Sequence, residues 1–347
     1  MANPTLTPGE IQRRAQRALT LLEPLGMSRV RAAVEDSGTL AKSATSGGTL
    51  PAATDAAQRA LEVGKLALTT IFDEGREQIS AEQMLGLEAI VVSIGRPAIL
   101  IRSDRFDSPP DPWGILERYR AAIEAIFPSV GRIELTGHPS LDWVGTGFMV
   151  APGVLATNRH VIQEFAQPNA QGKWTIEPGI SARVDFAEEI DTMAPRERAI
   201  GSIIAVHSVF DVALLEVAEG AQGAVPPIRM DGGSVPVGRG RLSFVVGYPA
   251  LDSRRNDPTL MQNIFANIYN VKRLQPGLLN NWSAANSAYL HDCSTLGGNS
   301  GSCFVDLDTG VVTGVHFGGR FQEGNWAVST RDLAADGYLS RLGARFV

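Results

Sequence analysis

The sequence is poor in cysteine, and its few histidines are scattered along the chain. The two cysteines, Cys293 and Cys303, flank a glycine-rich loop. Without further cysteines or grouped histidines, the ligands of a zinc site are missing, so we expect no bound metal. In a reducing compartment both cysteines are thiols. We interpret them as buried free thiols, and a disulfide that closes the loop stays open as the alternative.

Long apolar runs and blocks of like charge are also missing. No apolar stretch approaches the roughly 20 residues that span a bilayer. The net charge of -6 comes without a long basic or acidic run, which gives no electrostatic reason for a nucleic-acid or anionic-membrane partner. The start of the chain lacks the basic segment and apolar core of a secretory signal. We therefore expect a cytoplasmic protein that binds neither nucleic acid nor membrane.

The first third of the chain is predicted to be mainly helical. The length of 347 residues and the 44% hydrophobic content allow more than one domain with a large core. Hydrophobic periodicity and capping residues predict helices at 9–25, 54–80 and Trp113–Phe127, and short strands at Glu88–Ile94 and Pro97–Ile101. No group of catalytic residue types lies here. We interpret residues 1–90 as a regulatory or recruiting region and 91–127 as a connector.

From residue 128 to 347 the pattern changes to short strands between turns rich in glycine, proline and asparagine. Such a pattern is typical of an all-β barrel or sandwich. The end, Thr330–Arg345, is predicted to form a closing helix. The predicted strands are Val130–Leu135, Trp143–Val150, Val154–Thr157, Ile203–Val206, Val212–Val217, Leu242–Val246, Cys303–Asp306, Val311–Phe317 and Trp326–Val328.

The loop from Thr295 to Ser302 contains Ser300 among glycines, directly before an apolar strand. A serine becomes a nucleophile when a base lies beside it and when N–H groups face the oxyanion that its attack creates. Glycine tolerates the backbone conformations that turn such N–H groups inward. Gly298 and Ser300 are therefore candidate oxyanion donors, and an ordinary glycine-rich turn is the alternative.

Two more residues complete the arrangement. His160 follows the strand that ends at Thr157, and Asp211 directly precedes the strand that begins at Val212. Taken singly, such a histidine is a structural residue and such an aspartate is a cap or turn residue. Taken together with Ser300, they give the order His, Asp, Ser of a chymotrypsin-type triad.

At these residues the chain resembles the trypsin-like serine proteases, and within them the bacterial branch that includes the glutamyl endopeptidases. The resemblance covers residues 130–330. It implies a mostly β fold of two antiparallel six-stranded barrels, the first with His160 and Asp211 and the second with Ser300, here followed by a C-terminal helix and preceded by the helical region. The matching segments are Gly145–Phe148, Thr157–Val161, Asp211–Leu215, Asp292–Ser302 and Gly314–Gly319.

The same resemblance implies a site that needs neither metal nor organic cofactor and acts on protein or peptide substrates. In glutamyl endopeptidases a histidine and a threonine bind the acidic side chain of the substrate, and His316 and Thr295 stand at the matching positions. The alternative is that His316 is a strand residue of a pocket with another preference. Ser294 stands where trypsin has its pocket acid, which disfavours arginine and lysine, and the stretch Asp252–Gly277 looks like an insertion between barrel strands.

We thus predict an intracellular serine endopeptidase that prefers acidic residues and is regulated through its N-terminal region or a partner bound there. Two alternatives stay open. One is a protein-binding module in which the protease fold is catalytically silent. The other is an esterase that uses the same triad.

Overall fold

The computed structural model describes residues 7–23, 30, 62–71, 79–80, 82–84, 87, 96–110, 112–192, 194–220, 223–251, 264–320, 324–337 and 339–347. Across these ranges, no helix is both long and apolar enough to cross a membrane. The strands, in chain order, are β1 Ile99–Arg102, β2 Arg105–Phe106, β3 Val130–Thr136, β4 Trp143–Ala151, β5 Val154–Thr157, β6 Ala166–Pro168, β7 Trp174–Ile176, β8 Ser181–Asp185, β9 Glu197–Val206, β10 Ala213–Val217, β11 Arg241–Gly247, β12 Arg273–Ser283, β13 Ala288–His291, β14 Cys303–Asp306, β15 Val311–Arg320 and β16 Gly324–Ser329.

The first barrel closes six antiparallel strands in the order β10-β5-β4-β3-β8-β9. Side chains of a strand point alternately to its two faces, and the burial of β9 alternates accordingly along most of its length. The inward side chains form one apolar core that includes Leu155, Phe165, Val184 and Leu215, each fully buried. This core holds the ends of β5 and β10, where the site begins.

The second barrel follows the order β11-β14-β15-β16-β13-β12, and the pairing of β11 with β12 closes it. All of these pairings are antiparallel. Val245, Tyr289, Phe304 and Ala327 lie in its core. Strand β1 adds to β12, and β2 pairs with β1. The predicted mostly β fold with two six-stranded antiparallel barrels is confirmed.

Two predictions about barrel elements are wrong in their bounds. The predicted insertion Asp252–Gly277 runs too far, because Arg273–Gly277 begins β12. Its strand pattern was hidden by Arg273 and Gln275, polar residues that the fold buries. The predicted closing helix Thr330–Arg345 is also too long. It ends at Ala335, because Gly337 takes a φ of 69° that breaks the helix, and a 3-10 turn follows at Ser340–Leu342.

Contacts divide the chain into two units, and both barrels belong to the larger one, whose described residues fall within Ile99–Asp107, Arg118–Asp252 and Tyr269–Val347. The smaller unit contains the helix Pro8–Leu22, which Thr7 and Glu10 cap reciprocally, and a helix at 62–71. The first begins one residue before the predicted helix 9–25. The second lies within the predicted helix 54–80, whose predicted end is wrong because residues 79 and 80 are not helical.

The remaining N-terminal predictions have mixed outcomes. The predicted strand Pro97–Ile101 corresponds to β1. The predicted helix Trp113–Phe127 is a 3-10 helix over Trp113–Tyr119 followed by a short α-helix over Arg120–Glu124. The predicted strand Glu88–Ile94 lies outside the described residues. The domain boundaries at residues 90 and 127 stay a prediction.

Candidate active site

Two neighbouring strands of the first barrel bring His160 and Asp211 together. Thr157 of β5 pairs with Ala213 of β10, so the end of one strand lies beside the start of the other. His160 follows three residues after Thr157, on the short helix Arg159–Ile162. Asp211 comes two residues before Ala213. The antiparallel register therefore places the histidine and the carboxylate side by side.

The contact between them is short and doubled. Asp211 Oδ2 lies 2.6 Å from His160 Nδ1, and Asp211 Oδ1 accepts the His160 backbone N–H at 3.0 Å. Burial by itself raises the pKa of Asp211, but the hydrogen bonds and the charge of His160 outweigh it and hold that pKa below its usual value. An ionised carboxylate only accepts hydrogen bonds, so the proton lies on Nδ1. Nε2 of His160 is then the basic nitrogen.

Asn158, at the end of β5, adds a third tie, since its Nδ2 donates to the Asp211 carbonyl oxygen at 2.7 Å. The side chain of His160 remains 44% exposed, while that of Asp211 is 25% exposed. The base therefore faces solvent and substrate, and the acid behind it is the more sheltered of the two.

Ser300 lies on the loop between β13 and β14, and backbone contacts press this loop against both barrels. Its carbonyl oxygen accepts the N–H of Thr146 on β4 at 2.9 Å. The next residue, Gly301, donates its N–H to the carbonyl of His316 on β15 at 2.8 Å. Gly301 has a φ of 88°, and a Cβ there would overlap the Thr146 carbonyl oxygen. Only glycine allows this close approach of the nucleophile loop to β4.

The serine and the histidine are not hydrogen-bonded in this structure, as far as the described residues show. Ser300 is partly exposed, like His160. Catalytic hydrogen bonds are commonly long in a free enzyme and shorten when substrate binds. The two residues lie on either side of Gly145 in β4, since a Cβ there would come within 3.1 Å of the Ser300 carbonyl oxygen and 2.9 Å of Val161, the residue after His160.

The backbone at Gly298 takes a conformation that favours glycine. Gly298 takes a φ of 84°, and no acceptor within the described part of the chain takes the N–H of Gly298 or that of Ser300. A Cβ on Gly298 would overlap the ring of Trp143 and lie 2.5 Å from the Tyr248 carbonyl oxygen. The carbonyl of Gly298 accepts the Thr146 hydroxyl at 2.8 Å. Trp143 is a site residue that the sequence reasoning missed.

Thr295 and His316 share the region of the nucleophile loop but not a contact. Thr295 is partly exposed, and among the described residues no hydrogen bond joins it to His316. His316 is only 2% exposed, and its Nδ1 lies 3.2 Å from Nε2 of His291. Burial lowers the pKa of His291 to about 3 and takes that of His316 well below its usual value. Both rings are therefore neutral at pH 7.

No sequence pattern marked His291 as a neighbour of the site. In the structure its ring stacks on Phe304 with 4.5 Å between ring centroids. Cys293 and Cys303 are buried and form no disulfide, as the thiol interpretation expects. Burial raises the pKa of the Cys303 thiol to about 12, so this thiol is protonated at pH 7.

Among the described residues, one group of acids has ligand atoms close enough for a metal ion, namely Glu134, Asp185 and Glu188. Each of these carboxylates already has a protein partner. Glu134 pairs with Arg132 at 2.5 Å and with Arg183 at 2.7 Å, Asp185 Oδ1 accepts the backbone N–H groups of Ala187 and Arg196, and Glu188 pairs with Arg132 at 3.2 Å. These contacts occupy both oxygens of Glu134 and Oδ1 of Asp185.

The sequence around these residues also identifies a family. Residues 145–315 match the profile of the family described as trypsin-like peptidase domain. The chain carries a trypsin-like peptidase domain. The matched residues include His160, Asp211, Ser300 and the loop around Gly298. The protein is accordingly a serine endopeptidase, a hydrolase of peptide bonds. Its position among the branches of the family, including the glutamyl endopeptidases, stays a prediction.

Solved structures similar to the trypsin-like peptidase chain include the serine endoprotease from Yersinia pestis, with 18% identity, a TM-score of 0.45, and coverage of 65% of this chain and 68% of the other. Deg5 has 18% identity and a TM-score of 0.45, and the match covers 65% of this chain and 95% of Deg5. The active form of the Rv3671c protease from M. tuberculosis has 20% identity and a TM-score of 0.41, and the match covers 65% of this chain and 86% of that protease. A search of curated protein sequences gave no significant match.

Proposed function

We propose that this protein cleaves peptide bonds through an acyl-enzyme on Ser300, with His160 as general base and acid and Asp211 as the group that orients it. The observation that carries this assignment is the doubled contact between His160 and Asp211. It fixes the Nδ1–H tautomer and leaves Nε2 exposed as a base. The family match and the backbone form of the Ser300 loop support the same assignment.

The reaction follows from these groups. Ser300 Oγ attacks the scissile carbonyl carbon while His160 Nε2 takes the hydroxyl proton, and the carbonyl oxygen becomes an oxyanion. The N–H groups of Gly298 and Ser300 bind that oxyanion. The tetrahedral intermediate collapses, His160 returns the proton to the leaving amine, and an ester to Ser300 remains. Water attacks the ester by the same steps and restores the serine.

A fluorophosphonate probe tests the assignment of the nucleophile, because it phosphorylates activated serines. Wild-type protein is expected to take up one probe per chain at Ser300, and Ser300→Ala is expected to take up none. The neighbouring Ser302 is fully buried, which makes Ser302→Ala a matched control that keeps labelling. Labelling that persists in Ser300→Ala overturns the assignment.

For specificity we propose a preference for glutamate or aspartate on the acyl side of the cleaved bond, bound by Thr295 and His316. The support is the resemblance together with the position of both residues around the Ser300 loop. Because His316 is only 2% exposed and burial lowers its pKa, its ring has to become accessible when substrate binds, and it then contacts the carboxylate as a neutral hydrogen-bonding group. Peptide libraries test this, and a preference for any other side chain overturns it.

We also propose that the N-terminal region regulates or recruits the protease inside the cell. The helix Pro8–Leu22 and the helix at 62–71 lie in the unit that does not contain the barrels. A cleavage site for an unrelated protease, inserted near residue 90, allows the full chain to be compared before and after the cut. A change in kcat/KM on cutting is expected, and equal values overturn inhibition by this region.

A further inference from the structure

The loop from His207 to Asp211 joins β9 to β10 and sets the position of the Asp211 carboxylate. The apolar side chain of Val209 on this loop is 73% exposed and does not anchor it. Polar contacts hold it instead. Arg159, the neighbour of His160, donates to the carbonyl oxygens of His207 at 3.1 Å and Ser208 at 3.3 Å. The carbonyl side of the loop is thus tied to the helix that carries the general base.

The N–H side of the loop is tied to the imidazole of His207, which is buried. Nδ1 of His207 accepts the backbone N–H of Val209 at 3.1 Å and that of Phe210 at 2.9 Å, and the ring stacks on Phe210 with centroids 4.6 Å apart. A nitrogen that accepts two N–H groups carries no proton, so the proton of this ring lies on Nε2. The two bonded amides are the ones immediately before Asp211.

Nε2 of His207 reaches outside the first barrel. It lies 2.5 Å from Oδ2 of Asp336, which follows the helix Thr330–Ala335 at the end of β16. An Nε2–H that donates to a carboxylate matches the tautomer that the two amides impose. The imidazole therefore spans from the loop of the catalytic acid to the C-terminal helix beyond the second barrel. The charged groups on it are Asp336 at Nε2 and Arg159 at the carbonyl oxygen of its own backbone.

We propose that His207 is a positioning residue that holds the loop of Asp211 in the conformation that orients His160, with Asp336 as its anchor. This inference rests on the proposed function, because it takes Asp211 as the orienting acid. Without the imidazole, the amides of Val209 and Phe210 lose their acceptor and the loop relaxes. Asp211 then supports the imidazolium form of His160 less well, although neither His207 nor Asp336 touches the substrate.

Three substitutions of His207 separate its bonds to the two loop amides from its bond to Asp336. His207→Leu removes both sets of bonds, and we expect kcat per active site to fall by about 10²-fold with KM little changed. A loss of this size follows a small misplacement of a catalytic group. His207→Asn keeps an acceptor at the place of Nδ1 but loses the bond to Asp336, and its kcat is expected to lie between those of His207→Leu and the wild type. His207→Gln keeps a donor toward Asp336 but no acceptor for the amides, and is expected to resemble His207→Leu.

A matched control lies elsewhere in the first barrel. Nδ1 of His138 accepts the N–H groups of Ser140 and Leu141 at 3.2 Å and 3.0 Å, in the same local pattern but on the turn between β3 and β4. His138→Leu is expected to leave kcat unchanged. If it lowers kcat as much as His207→Leu does, the effect belongs to the turn pattern in general and the proposal is overturned.

Active-site counts separate positioning from mere folding. The fluorophosphonate probe counts active sites, so unfolded protein does not contribute to kcat per labelled site. A positioning role predicts that kcat per labelled site falls in His207→Leu while KM stays near the wild-type value, and that His207→Asn rescues part of the loss. Wild-type kcat per labelled site in His207→Leu overturns the proposal.

The same experiment distinguishes a failure of the underlying function. If wild-type protein takes up no probe, or if Ser300→Ala still does, the proposed function itself fails. If labelling follows Ser300 and His207→Leu behaves as wild type, only the role of His207 is overturned.

Discussion

The two barrels use histidine in opposite ways. In the first barrel His160 has a carboxylate partner at 2.6 Å and a side chain that is 44% exposed. In the second barrel His291 and His316 are buried and pair with each other at 3.2 Å. Burial disfavours a proton on either of these rings and lowers the pKa of both, whereas the ring of His160 lies beside the Asp211 carboxylate. Burial and the partner, more than the residue type, distinguish the histidine proposed as the base from the two buried ones.

In the proposed mechanism the two barrels have different roles. The first barrel supplies His160 and Asp211 for proton transfer, and hydrogen bonds from its loops hold this pair in place. The second barrel supplies Ser300 on a glycine-rich loop that backbone contacts hold, with the neutral ring of His316 behind it. The proposal thus assigns proton transfer to the first barrel, and four experiments test that division of roles.

The largest effect is expected when either barrel loses its catalytic group. Ser300→Ala and His160→Ala should each lower kcat by about 10⁶-fold, since members of such a triad act as a unit. The double variant should be no slower than either single one. The measurement is kcat of the two single variants and the double variant on the same peptide substrate. If the two losses multiply, the barrels act independently and the division of labour between them is wrong.

A smaller loss is expected at the oxyanion loop. Gly298→Ala places a methyl group against Trp143 and the Tyr248 carbonyl, so the N–H groups of the loop turn away and kcat falls by about 10²–10³-fold. The control is Gly310→Ala, on the turn between β14 and β15, where φ is also positive at 65° and the nearest atom lies 3.8 Å away. Active-site counts and kcat for both variants separate strain from lost catalysis, and equal losses contradict the assignment.

The buried histidines should make stability fall in acid. The pKa of His291 is about 3 in the folded protein, below the usual value of 6.5, so the unfolded chain binds the extra proton. This stabilisation is complete above pH 6.5 and is lost as pH falls toward 3, at up to about 1.4 kcal/mol per pH unit. Urea unfolding between neutral and mildly acidic pH should show a shallower loss for His291→Gln. Identical pH slopes contradict the burial of a neutral ring.

The smallest effect is expected at the cysteines. Because burial raises the pKa of Cys303 to about 12, the thiolate is scarce in mildly alkaline solution, and native protein should react with an alkylating agent far more slowly than urea-unfolded protein. Activity should be the same with and without a reducing agent, since both cysteines are free. Mass spectrometry of the alkylated protein measures the difference, and a disulfide between Cys293 and Cys303 contradicts it.

Local sequence was enough to predict the three candidate catalytic residues and the β character of the domain that carries them. The glycines around Ser300, the strand before His160 and the strand after Asp211 each carry a pattern that needs no long-range contact. Short strands between turns predict a β domain, and the resemblance carried by these segments implies its two barrels. The match of residues 145–315 to the trypsin-like peptidase family agrees with that interpretation. The acidic preference, the cellular location and the role of the N-terminal region stay predictions.

The tertiary structure alone decided which polar groups are buried and what they face. It buried Arg273 and Gln275 within β12, placed Trp143 over Gly298, paired His291 with His316, and joined His207 to Asp336 across 129 residues of sequence. Periodicity reports which face of a strand is apolar. It carries no information about which distant side chain desolvates or neutralises a polar group, and desolvation of this kind lowers the pKa of His291 and of His316.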